Sequence, residues 1–279
     1  MAPAELDGAM AACSSALPTL GWGGGPALLD QGLSPYRTDV AQLVSLRPQV
    51  ILTQMQGLGE ELTAAHYGAA LEGLLGYRPV LVQLAALVME GVWADMAAVA
   101  AALQLGAKGA RAIEGLKQQL QAAAAAGRGR QRPRVAVVQW SDPLYAAGGW
   151  VPQLVAMAGA LDVLGRVEQA ATFTAQQLAD ARPDVVVFAL CGLGLPASRR
   201  QAEQALAQLT AASAAAKAAL GRARVIVTDG VHVFSRPGPL LVQSLEALVE
   251  ALHGEAQGFG HEGRLWAALP AAAGPGAPA

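Results

Sequence analysis

"DVAQLVSLRPQVILTQ" (residues 39–54) and "TAQQLADARPDVVVFA" (residues 174–189) align without a gap, 135 residues apart. Each reads as a short amphipathic helix, an Arg-Pro stop and then a strand. The shared positions are Gln42/Gln177, Leu43/Leu178, Arg47/Arg182, Pro48/Pro183 and Val50/Val185. Proline stops the helix because its ring disfavours α geometry in the residue before it. The apolar run that follows does not alternate, which is the pattern of a strand buried on both faces of a parallel sheet. Two such units predict two α/β lobes of related design.

Working outward, "PVLVQL" (79–84), "RVAVVQW" (134–140) and "RVIVTDG" (224–230) read as further strands. Residues 92–126 are strong helix formers with few breakers, predicting one long helix of about 45 Å at about 1.5 Å per residue. The expected organisation is an N-terminal α/β lobe over 1–91, a connecting helix over 92–126 and a C-terminal α/β lobe over 127–255. A low-complexity tail, expected to be partly disordered, runs over 256–279. The N-terminal lobe is short: only helix-like sequence and "GWGGGP" (21–26) precede its first clear strand, so it is expected to be incomplete.

Composition sets outer limits. The 279 residues suit one large domain or two lobes, with 53% apolar and 14% charged residues. A net charge of −2 gives no electrostatic case for nucleic acid. The one basic run, "GRGRQRPR" (127–134), reads as a solvated linker. Cys13 and Cys191 form neither a CxxC pair nor a metal spacing, and His66, His232, His253 and His261 show no ligand pattern. No apolar run reaches the length of a membrane span, and the first residues lack the basic and apolar regions of a secretion signal.

Candidate chemistry gathers where strands end. Only 5% of the chain is aromatic, yet Trp140, Tyr145 and Trp150 fall within eleven residues around Gly148 and Gly149. Isolated tryptophans are usually core anchors; three rings about a glycine turn make a flat apolar platform the sharper reading. "DVVVFALCGLGLPA" (184–197) carries Gly192-x-Gly194-x-x-Ala197 after a strand, the setting of a dinucleotide loop. No acidic residue follows at the expected distance and Pro196 sits in the turn, so an ordinary strand-to-helix turn is the competing reading. Cys191 at the same strand end is a nucleophile only if a base lies beside it; otherwise it is small apolar filler. In "DGVHVFSRPGPLLVQSLEAL" (229–248), Arg236 either meets an anionic ligand or ties its loop to a carboxylate.

Taken in order, "RVAVVQWSDPLYAAGGWVPQLVAMAGA", "RPDVVVFALCGLGL" and "VIVTDGVHVFSRPGPLLVQSLEALVEAL" resemble the C-terminal lobe of cobalamin and iron-siderophore substrate-binding proteins of ABC importers. "SPYRTDVAQLVSLRPQVILTQ" resembles that family's N-lobe helix and strand, and 92–126 its backbone helix. The resemblance spans residues 33–252. It implies two Rossmann-like lobes with parallel sheets, one long backbone helix, and a ligand clamped between the lobes without catalysis. By matching position the ligand wall would be Trp140, Tyr145, Gly148, Gly149, Trp150, Cys191, Gly192, Phe234 and Arg236, faced by Gln54 and Met55. Glu60 and Glu61 would dock onto a membrane permease. The implied ligand is a cobalamin-like corrinoid or an iron chelate, with no intrinsic cofactor or metal. The family's opening strand-helix-strand and its export signal have no counterpart here, consistent with an incomplete first lobe. A nucleotide-dependent enzyme using the Gly192–Gly194 loop, and a partner-binding scaffold with a dead cleft, are the competing functions.

Overall fold

The computed structural model describes residues 39–54, 64–167, 169–254 and 258–269. The chain divides into two compact units, the first ending at Leu84 and the second beginning at Ala85.

In the first unit, helix α1 (Val40–Leu46) leads into strand β1 (Val50–Gln54), then α2 (Ala64–Leu75) and β2 (Val80–Leu84). The Asp39 carboxylate caps α1 by accepting from the Gln42 amide at 2.9 Å, satisfying a donor that the helix itself cannot. Arg47 closes the helix in the left-handed conformation, φ 46° and ψ 54°. Its guanidinium then lies 5.4 Å from the centroid of the Tyr77 ring, while the Tyr77 hydroxyl donates to the Pro48 carbonyl at 2.9 Å. The Arg-Pro stop is thereby tied to the approach of the next strand. β1 and β2 pair in parallel, Val50 opposite Val80 and Gln54 opposite Leu84.

The second unit opens with α3 (Met89–Ala102) and α4 (Gly106–Gly127). The stretch read as one continuous helix is thus carried by two. α3 ends in a pair of nested bonds, Leu105 amide to Ala100 carbonyl and Gln104 amide to Ala101 carbonyl, both 2.9 Å. Gln104 takes φ 56° at their centre. This is the usual helix-ending geometry with glutamine where glycine is the norm; the glycine of the junction, Gly106 with φ 49°, opens α4 instead.

Beyond α4 come β3 (Arg134–Ser141), β4 (Leu144–Ala146), β5 (Gly148–Gly149), α5 (Val151–Met157), β6 (Leu161–Asp162), β7 (Arg166–Val167) and β8 (Ala171–Thr172). The order continues with α6 (Ala175–Ala181), β9 (Val185–Phe188), α7 (Leu195–Ala212), α8 (Ala214–Leu220), β10 (Arg224–Thr228), α9 (Leu241–His253) and β11 (Trp266–Leu269). The main sheet runs β11-β10-β9-β3-β4-β8, with β6 also on β3. Its centre, β10-β9-β3, is parallel, and β11, β4 and β8 join antiparallel at the flanks.

Alternate residues of the central strands enter two separate cores. Val135, Val137, Val185, Val187 and Ile226 pack with Leu154, Leu241, Leu245 and Leu248 on one face. Ala136, Val138, Val186, Phe188, Val225 and Val227 pack with Leu178, Ala202 and Leu209 on the other. A strand with helices on both faces has no solvent side, which accounts for its unbroken apolar sequence.

At the amino edge of this sheet, basic side chains meet helix carboxyl ends. Arg134 donates to the carbonyls of Ala181 and Arg182, Arg224 to those of Ala251 and Leu252, and Arg130 to that of His253. These placements answer the orphan carbonyls and the negative end of the helix dipole. In the basic run 127–134 Gly127 is buried at the end of α4, while the four arginines are exposed, as in a solvated linker, and two of them serve as caps. An open hollow of about 530 Å³ at this edge is lined by Arg130, Gln131, Pro133, Asp184, Leu252 and His253; Arg130 already donates to the His253 carbonyl and the Asp184 carboxylate accepts from the Arg134 amide.

The expected tail is ordered in part. β11 pairs with β10 from Trp266 opposite Thr228 to Leu269 opposite Val225. Glu250, 2% exposed, anchors the approach by accepting from the amides of His261 and Glu262 and from the Trp266 indole. His261 is itself bonded to Glu246 at 2.9 Å and to Arg264 at 2.7 Å. No described helix is long and apolar enough to cross a membrane.

Candidate functional site

Three loops leave the carboxyl ends of the adjacent parallel strands β3, β9 and β10, the edge at which open α/β sheets take ligands. Main-chain bonds stitch them together. The Cys191 amide donates to the Gln139 carbonyl at 3.2 Å, the Gly192 amide to the Gly230 carbonyl at 3.0 Å, and the Gly230 amide to the Leu193 carbonyl at 2.8 Å. A Cβ at Gly230 would fall 1.8 Å from the Leu190 carbonyl oxygen, so only glycine lets these two backbones approach.

The β3 loop carries most of the expected aromatics. Asp142 and cis-Pro143 make it a hairpin, with Trp140 directly opposite Tyr145 across β3 and β4. Both rings are half-buried, and the Trp140 indole donates to the Asp142 carbonyl at 2.7 Å. Gly148 is buried where the chain crosses itself: a Cβ there would lie 2.1 Å from the Ala170 nitrogen. Trp150 does not share the platform. It is 8% exposed within the core, and its indole donates to the Phe234 carbonyl at 2.8 Å.

Phe234 is likewise interior, 2% exposed, with φ 67°. A bulky residue in the left-handed region is strained and needs its surroundings to hold it. Here its amide donates to the Ser244 hydroxyl while its carbonyl accepts from Trp150. Trp150 and Phe234 therefore brace the β10 loop from beneath, while Trp140, Tyr145, Cys191 and Arg236 supply accessible surface. In the same loop the buried Ser235 hydroxyl has no partner. Arg236 is exposed, its Nε donating to the Val231 carbonyl, and it forms no ion pair among the described residues.

Sequence reasoning passed over Asp229 and His232. The Asp229 carboxylate accepts from the Val231 and His232 amides at 2.9 and 3.0 Å and lies 3.1 Å from the His232 Nδ1. The signal was present as Asp-x-x-His directly after a strand, a spacing at which an aspartate caps the turn and meets the ring.

The Gly192–Gly194 loop is poorly suited to a phosphate. The Gly192 and Leu193 amides are spent on the Gly230 and Leu190 carbonyls, and Pro196 at the start of α7 offers none. Gln54 ends β1 in the first unit, opposite Leu84 and exposed. Met55, Glu60 and Glu61 lie outside the described residues.

No family model and no curated protein matches the sequence. Solved structures do match. The periplasmic heme-binding protein RhuT from Roseiflexus sp. RS-1 superposes with a TM-score of 0.58 at 21% identity, over 80% of this chain and 82% of that one. A periplasmic heme-binding protein from Pseudomonas aeruginosa gives 0.55 at 23% identity, over 82% and 81%. The periplasmic vitamin B12-binding protein BtuF of Vibrio cholerae gives 0.50 at 14% identity, over 83% and 85%. The fold is that of the helical-backbone periplasmic substrate-binding proteins, the class that the sequence resembles.

Proposed function

We propose that this chain is a non-enzymatic binding protein for a metal chelate, a corrinoid or an iron chelate, held at the carboxyl edge of the larger unit's sheet. The observation that carries the reading is the braced loop cluster of Gln139–Trp140, Cys191–Leu193 and Asp229–Arg236. It offers half-buried rings, an exposed guanidinium and a backbone fixed by its own hydrogen bonds. Rigid aromatic surface with a few placed polar groups is what a large, flat ligand requires. The proteins superposed above bind heme or vitamin B12, and both ligands are planar macrocycles around a metal. Delivery to an ABC-importer permease belongs to the same proposal. The loop amides already used internally weigh against the nucleotide-dependent alternative.

Titration with hemin, cyanocobalamin and a ferric siderophore, read by tryptophan fluorescence and thermal shift, tests the proposal. Saturable quenching with a raised Tm for one of the three is expected. No response across the panel overturns it, and a thermal shift with NAD(P) that Gly194→Trp abolishes would establish the nucleotide reading instead.

A further inference from the structure

We infer that the amino edge of the main sheet, opposite the loop cluster described above, is a docking face for an anionic lipid surface; the inference is independent of the metal-chelate reading. Charge is unevenly placed along the chain. Segments 127–134, 180–184 and 222–224 hold seven of the 19 Lys and Arg residues, all of them arginine, and two of the 21 Asp and Glu residues, Asp180 and Asp184. The fold gathers these segments. The Asp184 amide donates to the Arg134 carbonyl at 2.8 Å and the Arg224 amide to the Asp184 carbonyl at 2.9 Å, so β3, β9 and β10 begin side by side. All seven arginines are exposed. Helix carboxyl ends also lie here, and capping explains Arg130, Arg134 and Arg224. It does not explain Arg128, Arg132, Arg182 and Arg222, whose side chains make no hydrogen bond or ion pair among the described residues.

The chemistry of the edge favours lipid phosphate. A guanidinium that donates to a neutral carbonyl keeps its charge, each helix end offsetting only about half a unit. Its remaining N–H groups fit the oxygens of a phosphate in pairs. An apolar side chain lies beside the arginines. Leu161 is 46% exposed, opposite Arg134 in the β3–β6 pair, with its amide on the Pro133 carbonyl. An exposed leucine next to arginines suits the headgroup boundary of a bilayer, where electrostatic attraction and apolar burial add. A nucleic acid fits less well. The three segments contain no Trp, Tyr or Phe on which bases could stack, and the rest of the chain, acidic in excess, would repel a polyanion running past the edge. A flat lipid surface meets the edge alone, since charge further away than about 8 Å is largely screened at physiological salt. β3 is 8 residues long, about 26 Å at about 3.3 Å per residue. Docking by the amino edge would therefore turn the carboxyl-edge loops of this unit away from the lipid.

The test is co-sedimentation of the full chain, without added chelate, with vesicles of phosphatidylcholine alone and of phosphatidylcholine mixed with phosphatidylglycerol, at low and at high salt. Binding should require phosphatidylglycerol and weaken as salt rises. Each arginine near such a surface is worth about fivefold in affinity, so Arg128→Ala, Arg132→Ala and Arg222→Ala together should lose about 100-fold. Because these three side chains are exposed and unbonded, the triple variant should keep the wild-type Tm. Lys108→Ala, Arg111→Ala and Arg200→Ala remove the same charge from exposed positions outside the three segments, and together should bind like the wild type. Leu161→Ser should weaken binding several-fold and leave its salt dependence unchanged. No vesicle binding, equal binding to both vesicles, or equal losses in the two triple variants overturns the inference. So does displacement by inorganic phosphate at constant ionic strength, which would assign a free-anion site, or binding to double-stranded DNA without binding to vesicles, which would assign a nucleic acid. Failure of the hemin and cobalamin titrations would remove the metal-chelate reading and leave this face standing.

Discussion

The two copies of the repeat form the same local structure and do different work. α1 and α6 both start on a side-chain cap at the residue three before a glutamine, Asp39 and Thr174. Both end on a left-handed arginine, φ 46° at Arg47 and 44° at Arg182. Their burial diverges. No residue of α1 is buried and β1 is only partly so, whereas Leu178 and all of β9 are interior. The difference lies in the partners. β9 sits between β3 and β10 with helices on both faces, while β1 pairs with β2 alone among the described residues. Caps and stops are written in a few neighbouring residues; burial is conferred by the rest of the fold.

The strongest way to break the comparison is one change at matched positions. Val187 is 0% exposed, and its counterpart Leu52 is 49% exposed. Val187→Asp should cost more than about 4 kcal/mol, since it buries a charge with no partner. Leu52→Asp should cost less than about 1 kcal/mol. Denaturant unfolding monitored by circular dichroism reads both, and equal losses would show that β1 is as deeply embedded as β9.

A smaller effect sharpens the contrast at the carboxyl tether, which has no counterpart in the described part of the first unit. Burial tends to raise the Glu250 pKa, but the amides of His261 and Glu262 and the Trp266 indole outweigh it and hold the carboxyl below its ordinary value. A depressed folded pKa contributes stability above the unfolded value and loses it as pH falls through the folded one. Glu250→Gln should therefore cost about 1–3 kcal/mol at neutral pH and flatten the acid limb of the stability curve. A limb as steep as the wild type's would mean that other carboxylates carry it.

The smallest effect should be alike in both units. Asp39→Ala and Thr174→Ala each remove one cap worth about 1 kcal/mol, read by amide exchange within α1 and α6. Losses that differ several-fold would show that even the caps depend on tertiary context.

This contrast explains what the sequence disclosed. The strands at 49–54, 79–84, 134–140, 184–189 and 224–230 were legible, because Arg-Pro stops and unbroken apolar runs are local signals. The break at Gln104 was not, since it rests on a left-handed glutamine that no propensity favours. β11 was hidden behind a glycine-rich stretch, its order depending on Glu250 and Glu246 a helix away. Within the site, residue type identified Trp140 and Trp150 equally, yet one is half-exposed and the other braces Phe234 from the core. That distinction comes from packing. His232 was missed because histidine pairs were sought with each other, while its partner was the aspartate three residues before it.

The Glu250 tether also governs how the protein behaves toward copies of itself. β11 covers Val225–Thr228, which would otherwise present a row of unpaired main-chain groups on an apolar strand. Such an edge is a template for another chain. Protonating one buried carboxylate loosens the latch over that edge while the parallel core is still intact. Acid below the ordinary carboxylate range should therefore favour sticky, native-like assemblies through that edge, and the pH at which they appear should follow the titration of Glu250.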